Sequence, residues 1–161
     1  MRKQRNEEPV SIKTLRLWSY SAARMAVPYF RAVVRSVRDY WLEVQQARRQ
    51  IRQLDARPGR PDRQTLIRRA EAVQELEYAF GELEAALDEL KVLDVCSLDP
   101  AKGLALIPFG QGDDLAWFVF DLFAPQGLEA WRFHGDSLET RRPLLIDSSA
   151  GLPTPEHSLP E

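Results

Sequence analysis

The sequence contains few of the residues from which catalytic and metal sites are built. Its 161 residues include two histidines and a single cysteine, Cys96. One cysteine excludes an intrachain disulfide and fits a reducing compartment. Because no histidine lies near Cys96 in the sequence, we expect a buried small hydrophobic residue there and not a reactive thiol. Phosphate-binding glycine loops, nucleophile elbows and cysteine clusters are also absent from the sequence, so the motifs of several large enzyme classes are missing.

Long hydrophobic runs are missing as well. The longest run, residues 115–124, is interrupted by Asp121 and falls well below the roughly 20 residues that cross a bilayer as a helix. The first eight residues are mostly charged, and no apolar segment follows them, so the sequence shows no signal peptide. We therefore expect a cytoplasmic protein without a membrane partner.

Charge is divided unevenly between the two halves of the chain. Residues 1–70 contain 17 lysines and arginines against 6 acidic residues, whereas residues 71–161 contain 5 against 18. The balances of +11 and -13 combine to the net charge of -2. A polarity of this kind can direct both intramolecular pairing and the choice of partner.

A helical pattern begins near residue 20. Ser19 or Ser21 is a suitable N-cap, and Pro28 either kinks the first helix or begins a second one. Apolar residues then recur with the spacing of an amphipathic helix that is roughly 37 Å long at 1.5 Å per residue. The stripe consists of Phe30, Val33, Val34, Val37, Tyr40, Trp41, Val44, Ala47, Ile51 and Leu54.

A turn and a second helix follow. Residues 56–61 contain two prolines and one glycine, and Asp62 is a suitable N-cap. Apolar residues then alternate in steps of four and three, which predicts a second seam. This seam consists of Leu66, Ala70, Val73, Leu76, Phe80, Leu83, Leu87 and Leu90. Two helices joined by a short turn form an antiparallel hairpin, predicted over about residues 20–92.

Charged residues on the two helices suggest a register for the hairpin. Arg31, Arg35 and Arg38 of the first helix are predicted to lie beside acidic residues of the second. These acidic residues are Glu82, Glu84, Asp88 and Glu89. Such surface pairs contribute little stability, but they fix the orientation of the helices.

The pattern then changes to that of strands. Residues 104–109 form a short β-like run, residues 115–123 form the strongest strand, and residues 128–133 form a third, with turns between them. The predicted fold class is α+β, a long coiled-coil-like helical hairpin followed by a three-stranded antiparallel meander over about 104–133. One domain spans 18–147. A flexible lead-in at 1–17 precedes it, and a tail at 148–161, expected to be disordered, follows it.

The order of several segments resembles a bacterial family catalogued as domain of unknown function 2203. The resemblance rests on the segment from Trp18 to Pro28, on the hairpin, and on residues 95–109, which resemble the segment that ends in Gly-Leu-Val-Asp-Phe-Pro in that family. It continues with Trp131 and with residues 141–144, which resemble its Gly-Arg-x-Pro-Leu ending. The resemblance spans roughly residues 17–146 and implies the outline of the fold, but no activity.

Two positions depart from that family. Its aromatic strand is followed by a Trp-x-Leu-Gly-Glu segment, whereas residues 121–125 here read Asp-Leu-Phe-Ala-Pro. The histidine that follows its second tryptophan is replaced by Arg132. A site built from those polar groups would therefore be lost or changed in this chain.

A cluster of arginines lies at the predicted tip of the hairpin. Residues 48–69 contain eight arginines against two aspartates, a balance of +6. The candidate binding residues are Arg48, Arg49, Arg52, Arg57, Arg60 and Arg63. Arginine suits phosphate, so RNA is one predicted partner of the tip and an acidic protein is another. A solvated surface is the simplest interpretation, because aromatic residues are lacking here and the pI is about 5.8.

His134 is the only histidine outside the predicted tail. With Asp136 and Glu139 nearby, it could belong to an acid–base pair or a metal site. One histidine with neighbouring carboxylates is weak evidence, because zinc sites require three or four ligands in fixed geometry. We therefore predict a surface loop histidine, no catalytic residue, no metal and no cofactor.

The central strand suggests self-association because both of its faces are apolar. Its alternate residues form two sets, and one hairpin covers only one face of the sheet. An uncovered face would be a large apolar patch, so a second subunit is the simplest cover. Which face packs on the hairpin is left open by the sequence. The residues selected as the interface are Ala116, Phe118, Phe120 and Leu122.

The sequence thus predicts a non-enzymatic interaction or structural protein that forms a homo-oligomer. The alternative is a nucleic-acid-binding or ribosome-associated factor that uses the basic tip. An enzyme or metal protein centred on His134 is the third hypothesis.

Overall fold

The computed structural model describes residues 14–145 of the chain. Three helices are followed by one antiparallel sheet of five strands in sequential order. The helices are α1 (Tyr20–Met25), α2 (Val27–Asp55) and α3 (Arg63–Val92). The strands are β1 (Cys96–Asp99), β2 (Leu104–Gln111), β3 (Asp114–Asp121), β4 (Leu128–Phe133) and β5 (Arg142–Pro143). The predicted α+β class with a long helical hairpin is confirmed.

The ends of the helices follow the predicted capping residues. The Ser19 hydroxyl accepts a hydrogen bond from the Ala22 N–H (3.1 Å) and caps α1. Pro28 lies in the first turn of α2, where a missing N–H costs nothing. The Asp62 carboxylate accepts from the Thr65 N–H (2.7 Å) and caps α3. Local sequence signals therefore fix where α1 and α3 begin.

The seam of the hairpin agrees with the prediction in α2 and differs from it in α3. Most of the predicted α2 stripe is buried, but Leu66, Ala70 and Phe80 of the predicted α3 seam are exposed. The residues of α3 that are buried are Thr65, Ala72, Ala79, Leu83, Ala86 and Leu90. Alanine recurs every seventh residue here and contributes little to a hydrophobic pattern, so the larger neighbouring residues dominated the prediction.

Two arginines of α2 contact the loops of the sheet, although they were predicted to face the acidic residues of α3. The Arg31 guanidinium donates to the carbonyl oxygens of Ala124 (3.2 Å) and Pro125 (2.7 Å). Arg38 donates to the Ala101 carbonyl (3.0 Å). Both arginines therefore anchor the sheet to the helix and do not set the register of the hairpin.

Two strands were not predicted, and they correct the number of strands from three to five. β1 has four residues, none of them buried, and β5 has two. Neither shows the alternation of buried residues that marks a strand in a sequence. Cys96, predicted to be buried, begins β1 and is exposed.

The geometry of a turn and the limited pairing of β1 account for a glycine at position 103 and a proline at position 108. Gly103 has a φ of +66°, a conformation that side chains rarely adopt, and an added Cβ would lie 2.7 Å from the Leu122 Cβ. Pro108, in the middle of β2, lies beyond the end of β1, whose pairing stops at Leu106. The Pro108 carbonyl instead accepts from the Trp18 N–H (2.8 Å).

The hydrogen bond from the Trp18 N–H to the Pro108 carbonyl attaches the end of the predicted lead-in to the sheet. The Arg16 N–H also donates to an Asp94 carboxylate oxygen (2.8 Å), so residues 14–18 are bound to the folded body. The rest of the lead-in, residues 1–13, and the predicted tail lie outside the described residues.

The sheet packs on the base of the hairpin, the end far from the α2–α3 turn. Tyr20 contacts Phe118, and Phe30 contacts Phe120, each with ring centroids 6.0 Å apart. Arg38 is the most distal α2 residue that hydrogen-bonds a sheet loop in the described part of the chain. The hairpin therefore extends beyond the sheet as a pair of helices.

Candidate functional site

The predicted binding arginines lie at the tip of the hairpin and are exposed. Within residues 14–145, the ion pairs of the hairpin are Arg69–Asp55 (2.7 Å) and Arg38–Asp39 (3.7 Å). The six candidates, Arg48, Arg49, Arg52, Arg57, Arg60 and Arg63, have no carboxylate partner among the described residues.

Both aspartates of the tip, Asp55 and Asp62, accept hydrogen bonds from residues of the hairpin. The hydrogen bond from Arg69 lowers the pKa of Asp55. The pKa of Asp62 is also lowered, mainly by its hydrogen bonds from Thr65, with smaller contributions from Arg57 and Arg68. The tip is therefore a surface of positive charge whose acids are already engaged.

An apolar stripe continues along one side of the hairpin beyond the sheet. Val27 and Val34, seven residues apart on α2, are buried in the core between helices and sheet, and Trp41 follows seven residues later, half-buried. On α3, Leu66, Val73, Phe80 and Leu87 also recur every seven residues. Trp41 and Leu87 pack against the same core, so both series lie on the side that carries the sheet.

The part of this side that lies beyond the sheet we call the distal stripe. It consists of Trp41, Leu66, Val73 and Phe80. Leu66 is 53% exposed and Phe80 is 42% exposed. Apolar side chains that continue a covered surface into solvent are candidates for a binding interface.

The residues predicted as an oligomer interface lie in the interior of the protein. Phe118 stacks on Phe109 with ring centroids 3.9 Å apart, and Phe120 contacts Phe30 of α2. Ala116, Phe118, Phe120 and Leu122 all belong to the core that the helices cover. Their face of the sheet is covered by the chain's own hairpin, which corrects the choice of interface residues.

The opposite face of the sheet carries a smaller apolar cluster. Leu106, Trp117 and Val119 are buried there, and Leu15 from the segment before α1 packs against them. Arg132 of β4 also lies on this face, because it is opposite Trp117 in the sheet register. Arg132 is 4% exposed.

His134 accepts a hydrogen bond from a tryptophan, and no carboxylate within residues 14–145 pairs with it. Its Nδ1 accepts from Trp117 Nε1 (3.1 Å), and its side chain is exposed. Asp136, the predicted partner, is bound by two hydrogen bonds from Arg142 (2.8 and 3.0 Å). No group of three or more potential metal-ligating side chains occurs in residues 14–145.

The Asp136 carboxylate organises the loop after β4. It also accepts from the Phe133 N–H (2.9 Å), and the Arg142 hydrogen bonds are the main reason that its pKa is lowered. The Arg142 guanidinium lies over the rings of Phe133 (4.9 Å) and Trp131 (5.5 Å). This pair joins β5 to β4, and the sequence contained no pattern that indicated it.

The chain matches no protein-family model, no curated protein and no solved structure in the comparisons. The resemblance to domain of unknown function 2203 stays a prediction. Within residues 14–145, no helix is long and apolar enough to cross a membrane.

Proposed function

We propose that the protein is a non-enzymatic interaction protein that self-associates through the distal half of its hairpin. The observation that carries this proposal is the distal stripe, where Leu66 and Phe80 are exposed. At the base of the hairpin, the apolar residues on the same side are buried against the sheet. A surface of this kind favours an interface over a solvated helix face.

The charge distribution favours a second copy of the chain as the occupant. Residues 48–69 carry a balance of +6, and residues 71–91 of α3 carry seven acids against one lysine, a balance of -6. Two hairpins that pack stripe to stripe in opposite directions place the basic tip of each over the acidic region of the other. Two-fold pairing of this kind is the commonest form of self-association.

Light scattering at micromolar concentration tests the proposal. We expect twice the chain mass of 18.5 kDa. Phe80→Glu should reduce the mass to that of the monomer, because a charge in an apolar interface is costly to bury. Met25→Glu, at a residue 81% exposed and outside the stripe, is the matched control and should leave the dimer intact. A wild-type mass of 18.5 kDa across the concentration range contradicts self-association.

A polyanion-binding function is the second candidate, and it is favoured by the six tip arginines, which form no ion pair with any described carboxylate. Replacement of Arg48, Arg49, Arg52 and Arg60 with glutamine should abolish retention on heparin at low salt, because each phosphate-type contact contributes to binding. A control with the same loss of charge replaces exposed cations elsewhere, namely Arg24, Arg35, Lys102 and Arg141. A wild-type protein that is not retained excludes this function. An acidic protein partner and a cytoplasmic location are further predictions from the sequence.

A further inference from the structure

Arg132 is the one described residue whose buried polar atom has no partner. Its Nη1 donates to the carbonyl oxygens of Asp136 (2.9 Å) and Phe133 (3.3 Å). Its Nε is buried and has no hydrogen-bond partner among the described residues. The residue as a whole is only 4% exposed. Buried polar groups in proteins are nearly always hydrogen-bonded, so this N–H requires an explanation.

The charge of Arg132 is compensated only in part, because Arg132 helps to lower the pKa of Asp136 but makes no hydrogen bond to that carboxylate among the described residues. It shares its face of the sheet with the apolar cluster of Leu106, Trp117 and Val119. The nearest candidate counter-ion, the Asp136 carboxylate, is bound by Arg142 and by the Phe133 N–H. Burial of a guanidinium without a paired anion is costly, and the cost is removed when an anion occupies the free edge of the group.

His134 provides a second donor on the same face. Trp117, which lies opposite Arg132 in the sheet register, donates its indole hydrogen to His134, so the imidazole lies on the same side of the sheet as Arg132. Because His134 Nδ1 accepts the Trp117 indole hydrogen, the neutral ring carries its proton on Nε2. His134 and Gly135 are exposed, so this end of β4 is open to solvent.

We propose that Arg132, His134 and Trp117 form a binding site for a small carboxylate that carries an apolar group. The guanidinium Nε–H and its neighbouring Nη2–H point in parallel and match the two oxygens of a carboxylate. The indole of Trp117 and the side chains of Leu106 and Val119 favour an apolar substituent over a strongly hydrated dianion such as phosphate. This site is independent of the proposed self-association, because it lies on the sheet and not on the distal stripe.

Nuclear magnetic resonance of the arginine Nε–H groups tests the site directly, with benzoate as the probe. The Arg132 Nε–H signal should move downfield and saturate as benzoate is added, and the Trp117 indole signal should move with the same midpoint. The signal of Arg141, an exposed arginine nearby, should stay in place. An Arg132 signal that does not move at tens of millimolar benzoate overturns the proposal.

Variants and a second anion sharpen the test. Arg132→Met should weaken benzoate binding at least about tenfold, the equivalent of one charge-assisted hydrogen bond. His134→Gln should weaken it to a smaller extent and keeps the proposal testable if Arg132→Met does not fold. Arg141→Lys is the control that should bind as the wild type does. Equal or tighter binding of inorganic phosphate at the Arg132 Nε–H overturns the assignment to a carboxylate. Light scattering of the same variants reports on self-association separately.

Discussion

At the scale of the residue, several positions are determined by one dominant feature. Gly103 is fixed by its backbone conformation, and Asp136 by a pair of hydrogen bonds from Arg142. For each of these positions, the direction in which a substitution changes the free energy of unfolding can be predicted and measured.

Two glycines form a matched pair that tests the effect of backbone conformation. Gly103→Ala should lower the free energy of unfolding, because the new Cβ lies 2.7 Å from the Leu122 Cβ and φ is +66°. Gly81→Ala lies inside α3 with nothing within 4 Å of the new Cβ, so it should raise the free energy by about 1 kcal/mol. Urea denaturation measures both. A stabilised Gly103→Ala variant would contradict the strained geometry.

The Asp136–Arg142 pair should make stability depend on pH. Because the folded-state pKa of Asp136 is lowered, its contribution is present above the ordinary aspartate pKa and is lost as the pH falls through the lowered value. Asp136→Asn should therefore cost stability at neutral pH and little or nothing in strong acid. Urea denaturation of both proteins over a pH series measures this, with Asp113→Asn, an exposed aspartate of a turn, as the control. A penalty that is constant over the series would show that the charge of Asp136 is not responsible.

At the scale of the element, the helices and strands that could be predicted were those marked in the sequence by large apolar residues or by helix-capping residues. The bounds of the hairpin, the stripe of α2 and three of the strands follow from such signals. The seam of α3 was predicted only in part, because Ala72, Ala79 and Ala86 are too small to stand out beside Leu66 and Phe80. β1 and β5 were missed because their pairing partners, and not their own residues, make them strands. The burial of Arg132 could not be predicted, since it depends on the fold of the chain at the end of β4, where the carbonyl oxygens of Phe133 and Asp136 accept its hydrogen bonds.

Two alanines of α3 distinguish the predicted seam from the observed one. Ala70 belongs to the predicted seam and is exposed, whereas Ala72 is 1% exposed between the helices. Ala72→Glu should unfold the hairpin or lower its melting temperature strongly, because an uncompensated charge would be buried. Ala70→Glu should have little effect, since surface substitutions of this kind usually change stability by about 0.5 kcal/mol or less. Circular dichroism melting decides between the two seams, and equal effects would contradict the observed one.

At the scale of the whole molecule, the charge asymmetry and the position of the sheet favour one orientation of the proposed dimer. The sheet occupies the stripe side of the hairpin at its base. Two copies that packed stripe to stripe in the same direction would bring both sheets to the same place. In the opposite direction the sheets lie at opposite ends, and the basic tip of each copy meets Glu84 and Asp88 of the other.

The distance between the two tips tests this orientation. A two-fold axis near Val73, the middle residue of the α3 stripe, pairs Leu66 of one copy with Phe80 of the other. Spin labels on Gly59→Cys, placed in a Cys96→Ser background, should then lie about 40 Å apart at 1.5 Å per helical residue. Double electron–electron resonance measures that distance, and a label at Val92→Cys provides an independent second pair. The tip contacts between opposite charges should also make the dimer weaker at high salt, because screening shortens the range of surface charges. Suppose instead that the protein is dimeric by light scattering and the tip-to-tip distance is below about 20 Å, well short of the distance expected at 1.5 Å per helical residue. The hairpins would then pack in the same direction, because both turns would lie at one end of the dimer.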